Sequence, residues 1–443
     1  MNQQISFKDT IVIGLMLFAL FFGAGNLVFP ALMGQASGDQ FIAANLGFLI
    51  TGVGLPLLAT IAFGFSGSKD LLQLASRVHP TFAVVYTTLL YLTIGPLFAM
   101  PRTGSVSFEI AVKPYINFEN DQLLLLAFTI VYFLITLLFS LNPSKLIDIV
   151  GKFLTPALII FIAIIGITAL VKPLGTPVAA TEAYTKHAFF NGFQEGYLTM
   201  DTLAAFVFGI IVIDSIRAKG VKSKKRLLVV CAQAAIISGI VLALIYSIIT
   251  YIGATSVPVI GQKANGGEVL ISVTQHFYNQ GGGVILGAIV ILACLTTSIG
   301  LTTACASYFS KLIPGMSYRA CVYILILISV LFANLGLQEL ISLSVPVLSI
   351  LYPIAIMLII LTFTHSWFKG KRSVYAVSLI IVSVFSIVGT FPKVPIISNI
   401  NEVFVSFIPF YELGIGWLIP GLIGALIGLI IPSQNRLTPA DIE

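Results

Sequence analysis

Charge is what this chain has least of. Of its 443 residues only 9% are Asp, Glu, Lys or Arg, while 58% are hydrophobic; soluble domains carry roughly a quarter charged residues. Water therefore cannot be the main solvent around the fold. Histidine and cysteine are as scarce, at four each. Cys231, Cys294, Cys305 and Cys321 all fall in apolar stretches without ligand spacing, so they read as buried small side chains, not as a metal centre or a disulfide framework. No His/Asp or His/Glu pair stands at helical spacing inside an apolar stretch. That removes the nucleophile–base pair or metal cluster an intramembrane enzyme needs. Also missing is the weak apolar–polar alternation, over segments of about ten residues, that marks a transmembrane barrel.

What is present is a series of long apolar runs, with a mean hydropathy of +1.05. A bilayer core about 30 Å thick takes about 20 apolar residues per helix. The chain then reads as an all-α membrane protein of about twelve spans, at 9–35, 40–65, 81–111, 122–141, 148–171, 193–216, 226–253, 283–311, 318–335, 340–365, 374–391 and 411–431. Short polar punctuation such as Gly67-Ser68-Lys69-Asp70 and Lys369-Gly370-Lys371-Arg372 separates most of them. Two longer connections, 172–192 and 254–282, have room for small helices on one side of the membrane. Met1–Thr10 is polar, and the apolar run after it is full-length without a small-residue cleavage site, so it reads as the first span and not as a signal peptide.

Orientation follows from the basic residues. With the N-terminus placed in the cytoplasm, 17 of the 23 Lys and Arg fall inside, and Arg102, Lys113, Lys172, Lys186, Lys263 and Lys393 fall outside. Both termini are thus expected in the cytoplasm, with the protein in a bacterial inner membrane. The same distribution accounts for the net charge of +6 and the pI near 9.0. The basic run Lys219–Arg226 reads as a topology anchor, and no nucleic acid is implied.

The first span carries Gly23-Ala24-Gly25-Asn26-Leu27-Val28-Phe29-Pro30 near its middle, and span six carries Gly196-Tyr197-Leu198-Thr199-Met200-Asp201-Thr202 at similar depth. Gly and Pro weaken a helix, and in lipid each freed backbone group costs several kcal/mol unless a buried partner takes it up. A break is tolerable where it lines a polar cavity; the alternative for span one is a Gly-rich packing face. Spans one to five and six to ten form matching halves, and because five is odd the second half is inverted. Interrupted helices at corresponding positions of two halves point to a midplane binding site. The expected division is one transmembrane domain, 1–443, with a first repeat over 1–171, a second over 172–366, and two further helices and a tail over 367–443.

A broken helix offers two kinds of end. Its N–H groups suit a carboxylate, and the carbonyls of the other half suit a cation or an ammonium. Asp201 at that depth needs a partner: a substrate ammonium, a coupling cation, a proton, or the half-helix it would cap. In span eight, Ala293-Cys294-Leu295-Thr296-Thr297-Ser298 puts the Ala293 carbonyl and the Thr296 and Thr297 hydroxyls on one face. Oxygen ligands suit a hard cation such as sodium, although membrane-helix hydroxyls also bond back to their own backbone.

The Gly23–Pro30 segment, the Thr199–Phe208 segment, the Thr-rich eighth span, the Asn142-Pro143-Ser144-Lys145 loop and the Lys-rich loop after span six together closely resemble the branched-chain amino acid:cation symporters, the BrnQ-type carriers. The likeness covers essentially the whole chain. It implies membership of the LeuT-type group, with a five-plus-five inverted repeat and two added helices, and uptake of leucine, isoleucine and valine driven by sodium or protons. The group's pattern implies a sodium site of Ala19, Phe22, Ala293, Thr296 and Thr297. Asn26 and Pro30 match its helix-one motif, one residue closer together; Phe29 stands where a basic residue often precedes the Pro, and Arg102 is the substitute candidate for that gate. A second sodium site would use an Asn in span seven, where the polar residues are Gln233, Tyr246, Ser247 and Thr250.

The expected substrate site therefore has the carboxylate on N–H groups around Ala24, Gly25 and Asn26. The ammonium lies near Thr199, Met200 and Asp201, and Phe206 contributes to the apolar pocket. No obligatory protein partner is expected beyond the lipid bilayer. The alternative is an ion-coupled carrier of another small solute, such as an aromatic amino acid or a nucleobase.

Overall fold

The computed structural model describes residues 5–68, 70–116, 119–141, 155–221 and 223–432, and among these no β-strand occurs. The chain order is α1 (Phe7–Phe21), α2 (Ala24–Ser37), α3 (Phe41–Leu49), α4 (Leu55–Ser66), α5 (Leu71–Ser76), α6 (Pro80–Leu92), α7 (Ala99–Ala111), α8 (Asp121–Ser140) and α9 (Thr155–Val171). It continues with α10 (Glu182–Glu195), α11 (Asp201–Ala218), α12 (Lys224–Ile260), α13 (Gly266–Leu312), α14 (Tyr318–Ala333), α15 (Leu337–Phe363), α16 (Arg372–Thr390), α17 (Pro395–Phe407) and α18 (Leu418–Ile430). The Asn142–Lys145 loop, and with it Lys69, Lys145, Lys152, Lys222 and Arg436, lies outside the described residues.

Every apolar segment expected from the sequence overlaps a helix. Among the described residues seven helical stretches are long and apolar enough to cross a bilayer, or eight if Glu182–Thr199 and Asp201–Ala218, bent by 43°, form one span. Pro156–Val171, Tyr318–Ala333 and Leu418–Ile430 are apolar but shorter. The helices are turned inside out relative to a soluble protein. Leu138, Val171, Leu331 and Leu426 face outward, whereas Thr51, Ser107, Thr129 and Thr136 are fully buried. Hydroxyls can sit inside because they donate to their own helix, as Thr136 does to the Tyr132 carbonyl at 3.1 Å. Helix starts are capped by side chains: Ser6, Asp70, Asn120, Asn265 and Ser317 each accept from the backbone of the first turn.

The two long connections do hold helical structure. The first contains the start of α10. In the second, α12 runs on to Ile260 and α13 begins at Gly266, with a break at Asn279 (φ +56°) that separates a shorter first segment from the rest of the helix. Three further irregularities fall outside the sequence expectations: π-helical turns at Ile50–Gly54 and Tyr411–Ile415, and another at Thr93–Leu97, where Gly95 leaves helical geometry ahead of Pro96.

Helix α2 is the centre of the molecule, with twelve of its fourteen residues buried. It packs against α12 and α13, and α7 lies along α13. Gly34 allows that approach: a Cβ there would stand 2.9 Å from the Ala254 nitrogen and 3.0 Å from the Gly253 Cα. Helix α11 packs on α4, α10 on α3, and α16 pairs with α18 at the C-terminal side.

Candidate functional site

The first broken helix parts between Phe22 and Gly23. The Phe22 N–H still bonds the Phe18 carbonyl at 2.8 Å. The Gly23 N–H instead turns to the Asn26 side-chain oxygen at 2.8 Å. The Ala19 carbonyl thus loses its usual donor four residues on, and the first N–H groups of α2 face no preceding turn. Pro30 does not end α2, which runs through it to Ser37. In the second broken helix a short 3-10 turn, Gly196–Thr199, leads into α11 through Met200, held at φ +63°. A non-glycine residue in that left-handed region is strained, and Met200 is buried.

The two breaks meet. A cavity of about 40 Å³ between them is lined by Gly23, Ala24, Gly25, Asn26, Thr199, Met200 and Asp201, with Leu20, Phe21, Ile94, Ala99, Arg102, Thr103, Ala204, Phe208, Thr297 and Leu301 completing the wall. On that scale it holds only a few waters, so a solute the size of an amino acid requires the walls to part. Six of the seven residues expected at a substrate site are here. Phe206 is the exception: it is buried edge-on against Phe63, ring centres 5.9 Å apart, and Phe208 lines the cavity instead. On a helix the two positions are about 200° apart, so Phe206 turns toward α4 when Phe208 turns inward.

Asp201 is tied into the centre. Its Oδ2 accepts from Asn26 Nδ2 and from the Tyr246 hydroxyl, each at 2.7 Å, and Asn26 Nδ2 also contacts the Tyr246 oxygen. One carboxylate thereby connects α2, α11 and α12. Tyr246 is fully buried; the sequence shows it as one polar residue among several in span seven and gives no sign of this role.

The other charged group on the wall is Arg102, which the sequence reading counted among the outer basic residues. It lies inside α7 and is only 2% exposed. Nη1 donates to the Leu198 carbonyl at the second break at 2.6 Å, Nη2 to Ser344 Oγ at 3.1 Å, and the guanidinium stands 4.9 Å from the centre of the Phe29 ring. An intramembrane cation is costly and marks function, not topology. Arg102 has thus reached the neighbourhood of Phe29, the position where a basic residue was missing.

At the expected ion site, Thr297 Oγ1 is 3.4 Å from the Phe22 carbonyl and 3.2 Å from the Ala293 carbonyl, and Thr296 Oγ1 is 2.8 Å from the same Ala293 oxygen. Phe22, Ala293, Thr296 and Thr297 come together across the break, while Ala19 sits one turn earlier on α1. A larger opening of about 460 Å³ lies beyond Tyr197, between α10, α15, α16 and the chain around Glu412, and none of the expected site residues lines it.

Residues 6–435 match the family model described as branched-chain amino acid transport protein. The branched-chain amino acid permease BrnQ of Bacillus subtilis (strain 168) is 51% identical over 432 residues, covering 97% of this chain and 98% of the permease. Among solved structures, the chain resembles Mhp1, a nucleobase-cation-symport-1 family transporter, in a closed conformation with bromovinylhydantoin bound (TM-score 0.61, 14% identity, 95% and 91% of the two chains covered). It also resembles MhsT in complex with L-phenylalanine (TM-score 0.61, 15% identity, 97% and 99% covered). At those identities the structural likeness speaks for the fold alone.

Proposed function

The chain belongs to the branched-chain amino acid transport protein family, and from that premise we propose that it imports leucine, isoleucine and valine across the bacterial cytoplasmic membrane by cation-coupled alternating access. The observation that carries this reading is the meeting of two broken helices at one buried cavity, with Asp201 and Arg102 on its walls. In this reading the amino acid ammonium faces Asp201 and the carbonyls near Thr199 and Met200. The carboxylate rests on the N–H groups of Ala24, Gly25 and Asn26. The aliphatic side chain lies against Ile94, Phe208 and Leu301, which line the same cavity.

Sodium is the coupling ion we propose, held by the Phe22 and Ala293 carbonyls and the Thr296 and Thr297 hydroxyls, with Ala19 as a fifth oxygen. Hard cations take oxygen donors, and the approach of Thr297 to Phe22 across the break supports the assignment. The division into repeats at 171/172 and 366/367, and both termini in the cytoplasm, belong to the same proposal; the bias of basic residues supports the orientation. A carrier of another solute on the same fold is the weaker reading, because the relative at 51% identity is named for branched-chain substrates.

The test is uptake of radiolabelled isoleucine into proteoliposomes under an imposed sodium gradient and, separately, a proton gradient. Accumulation with sodium alone is the expected result. Accumulation with protons alone would retain the carrier and move the coupling site to Asp201. No accumulation with either, from protein that is folded and monodisperse, overturns the substrate assignment.

A further inference from the structure

We propose that Arg102 is the carboxylate-binding residue of the transport cavity, so that a solute must present both a carboxylate and an ammonium to be held between Arg102 and Asp201. This deepens the amino acid reading above and rests on it. Arg102 is buried and lines the cavity. Among the described residues no carboxylate lies within ion-pairing distance of it. A guanidinium has five N–H donors; here Nη1 and Nη2 each make one hydrogen bond, to groups without net charge, and Nε is buried with no partner. Burying a cation this way is expensive unless an anion joins it.

A second observation points to the same spot. A Cβ built on Gly25 would stand 3.4 Å from Arg102 Nη1, 3.2 Å from the Phe29 ring and 3.4 Å from the Thr199 Cα. The guanidinium therefore flanks the first turn of α2, where N–H groups have no intrahelical acceptor and the helix dipole favours negative charge. The absence of a side chain at Gly25 leaves a cradle that a methyl group would fill. A planar carboxylate there can accept from the α2 backbone on one oxygen and from the guanidinium on the other, the pairing for which arginine is suited.

The opposite pole is in place. Asp201 lines the cavity, accepts its hydrogen bonds from Asn26 and Tyr246 at Oδ2, and does not pair with Arg102. A cavity with one cationic and one anionic wall, neither satisfied by the other, fits a zwitterion. An amine lacking the carboxylate would leave Arg102 as exposed to low dielectric as it is now, and a carboxylic acid lacking the amine would do the same to Asp201.

The experiment compares binding of leucine and leucinol, its carboxyl-free counterpart, to purified protein by competition with radiolabelled leucine. Wild-type protein is expected to prefer leucine by about a hundredfold, the loss typical when one member of a buried charge pair is missing. In Arg102→Gln leucine affinity falls by a similar factor and the preference collapses toward unity, while Arg102→Lys recovers part of it. Should Arg102→Gln not yield monodisperse protein, Arg102→Lys carries the test: it keeps the charge but loses the two-pronged fork, so leucine weakens by an intermediate factor and the preference over leucinol shrinks. A leucine-to-leucinol ratio unchanged from wild type in either folded variant overturns this inference alone. Wild-type protein that binds no leucine overturns the functional reading and this inference with it.

Discussion

Tyr246 shows how much a single buried hydroxyl can organise. It donates to Asp201 at 2.7 Å and contacts Asn26, so it sits where three helices meet. Removing a hydrogen bond to a charged group costs about 1.5–3 kcal/mol. Tyr246→Phe, which keeps the ring and its edge-on contact with Phe48, is therefore expected to lower the ratio of maximal uptake rate to half-saturation concentration by about ten- to hundredfold. Uptake within twofold of wild type would mean that Asp201 is held adequately by Asn26. Asn26 and Asp201 were legible in the sequence because a polar residue in a glycine-rich break, and a carboxylate in an apolar run, are expensive and call for a reason. Tyr246 was not, since a tyrosine in a membrane helix costs little until its hydroxyl is placed, and placement is a tertiary fact. Arg102 was legible as a charge within span 81–111 and as the candidate for the missing basic gate position, but was counted with the outer basic residues. The fold adds that the chain leaves helical geometry at Gly95, ahead of Pro96, and that the Arg102 side chain is buried on the cavity wall.

At the scale of the element, composition and periodicity located the helices because lipid demands long apolar runs with internal backbone bonding. The point of each break was harder. Pro30 is the strongest helix breaker in its segment, yet the helix parts eight residues earlier, at Phe22–Gly23, where the Asn26 side chain takes the released Gly23 N–H. Side-chain capping, and not the proline, decided the place. Helix packing leads to a second prediction. A methyl on Gly34 would press on the backbone of α12 at Ala254 and Gly253, where neither side can yield without moving a helix. Gly34→Ala should destabilise by about 1–3 kcal/mol, as overpacking generally does, and lower the apparent melting temperature in detergent. Gly300→Ala is the control: nothing lies within 4 Å of a Cβ there, so its melting temperature should hold or rise. Equal behaviour of the two variants would refute the close approach of α2 to α12.

For the whole molecule the question is how an ion and a solute come to act together. A connected path runs between the two groups: Thr297 reaches the Phe22 carbonyl, the next residue's N–H bonds the Asn26 side chain, and Asn26 bonds Asp201. On the proposed reading, an ion held at the Phe22 carbonyl also fixes the break, and with it the first turn of α2 on which the proposed substrate carboxylate rests. The proposed coupling is reciprocal: if sodium tightens leucine by some factor, leucine tightens sodium by the same factor, typically about 5- to 150-fold. Measured by ligand-dependent thermal stabilisation, which grows with the logarithm of ligand over its dissociation constant, wild-type protein should show such a factor with sodium and none with potassium. Thr297→Ala removes the one hydroxyl of α13 that spans the break and should bring the factor close to one. Leucine affinity in the absence of sodium should stay near that of wild type, because Thr297 only borders the substrate cavity. A variant that keeps the full factor would show that coupling does not pass through Thr297, and a variant that loses leucine affinity without sodium as well would show that Thr297 belongs to the substrate site itself.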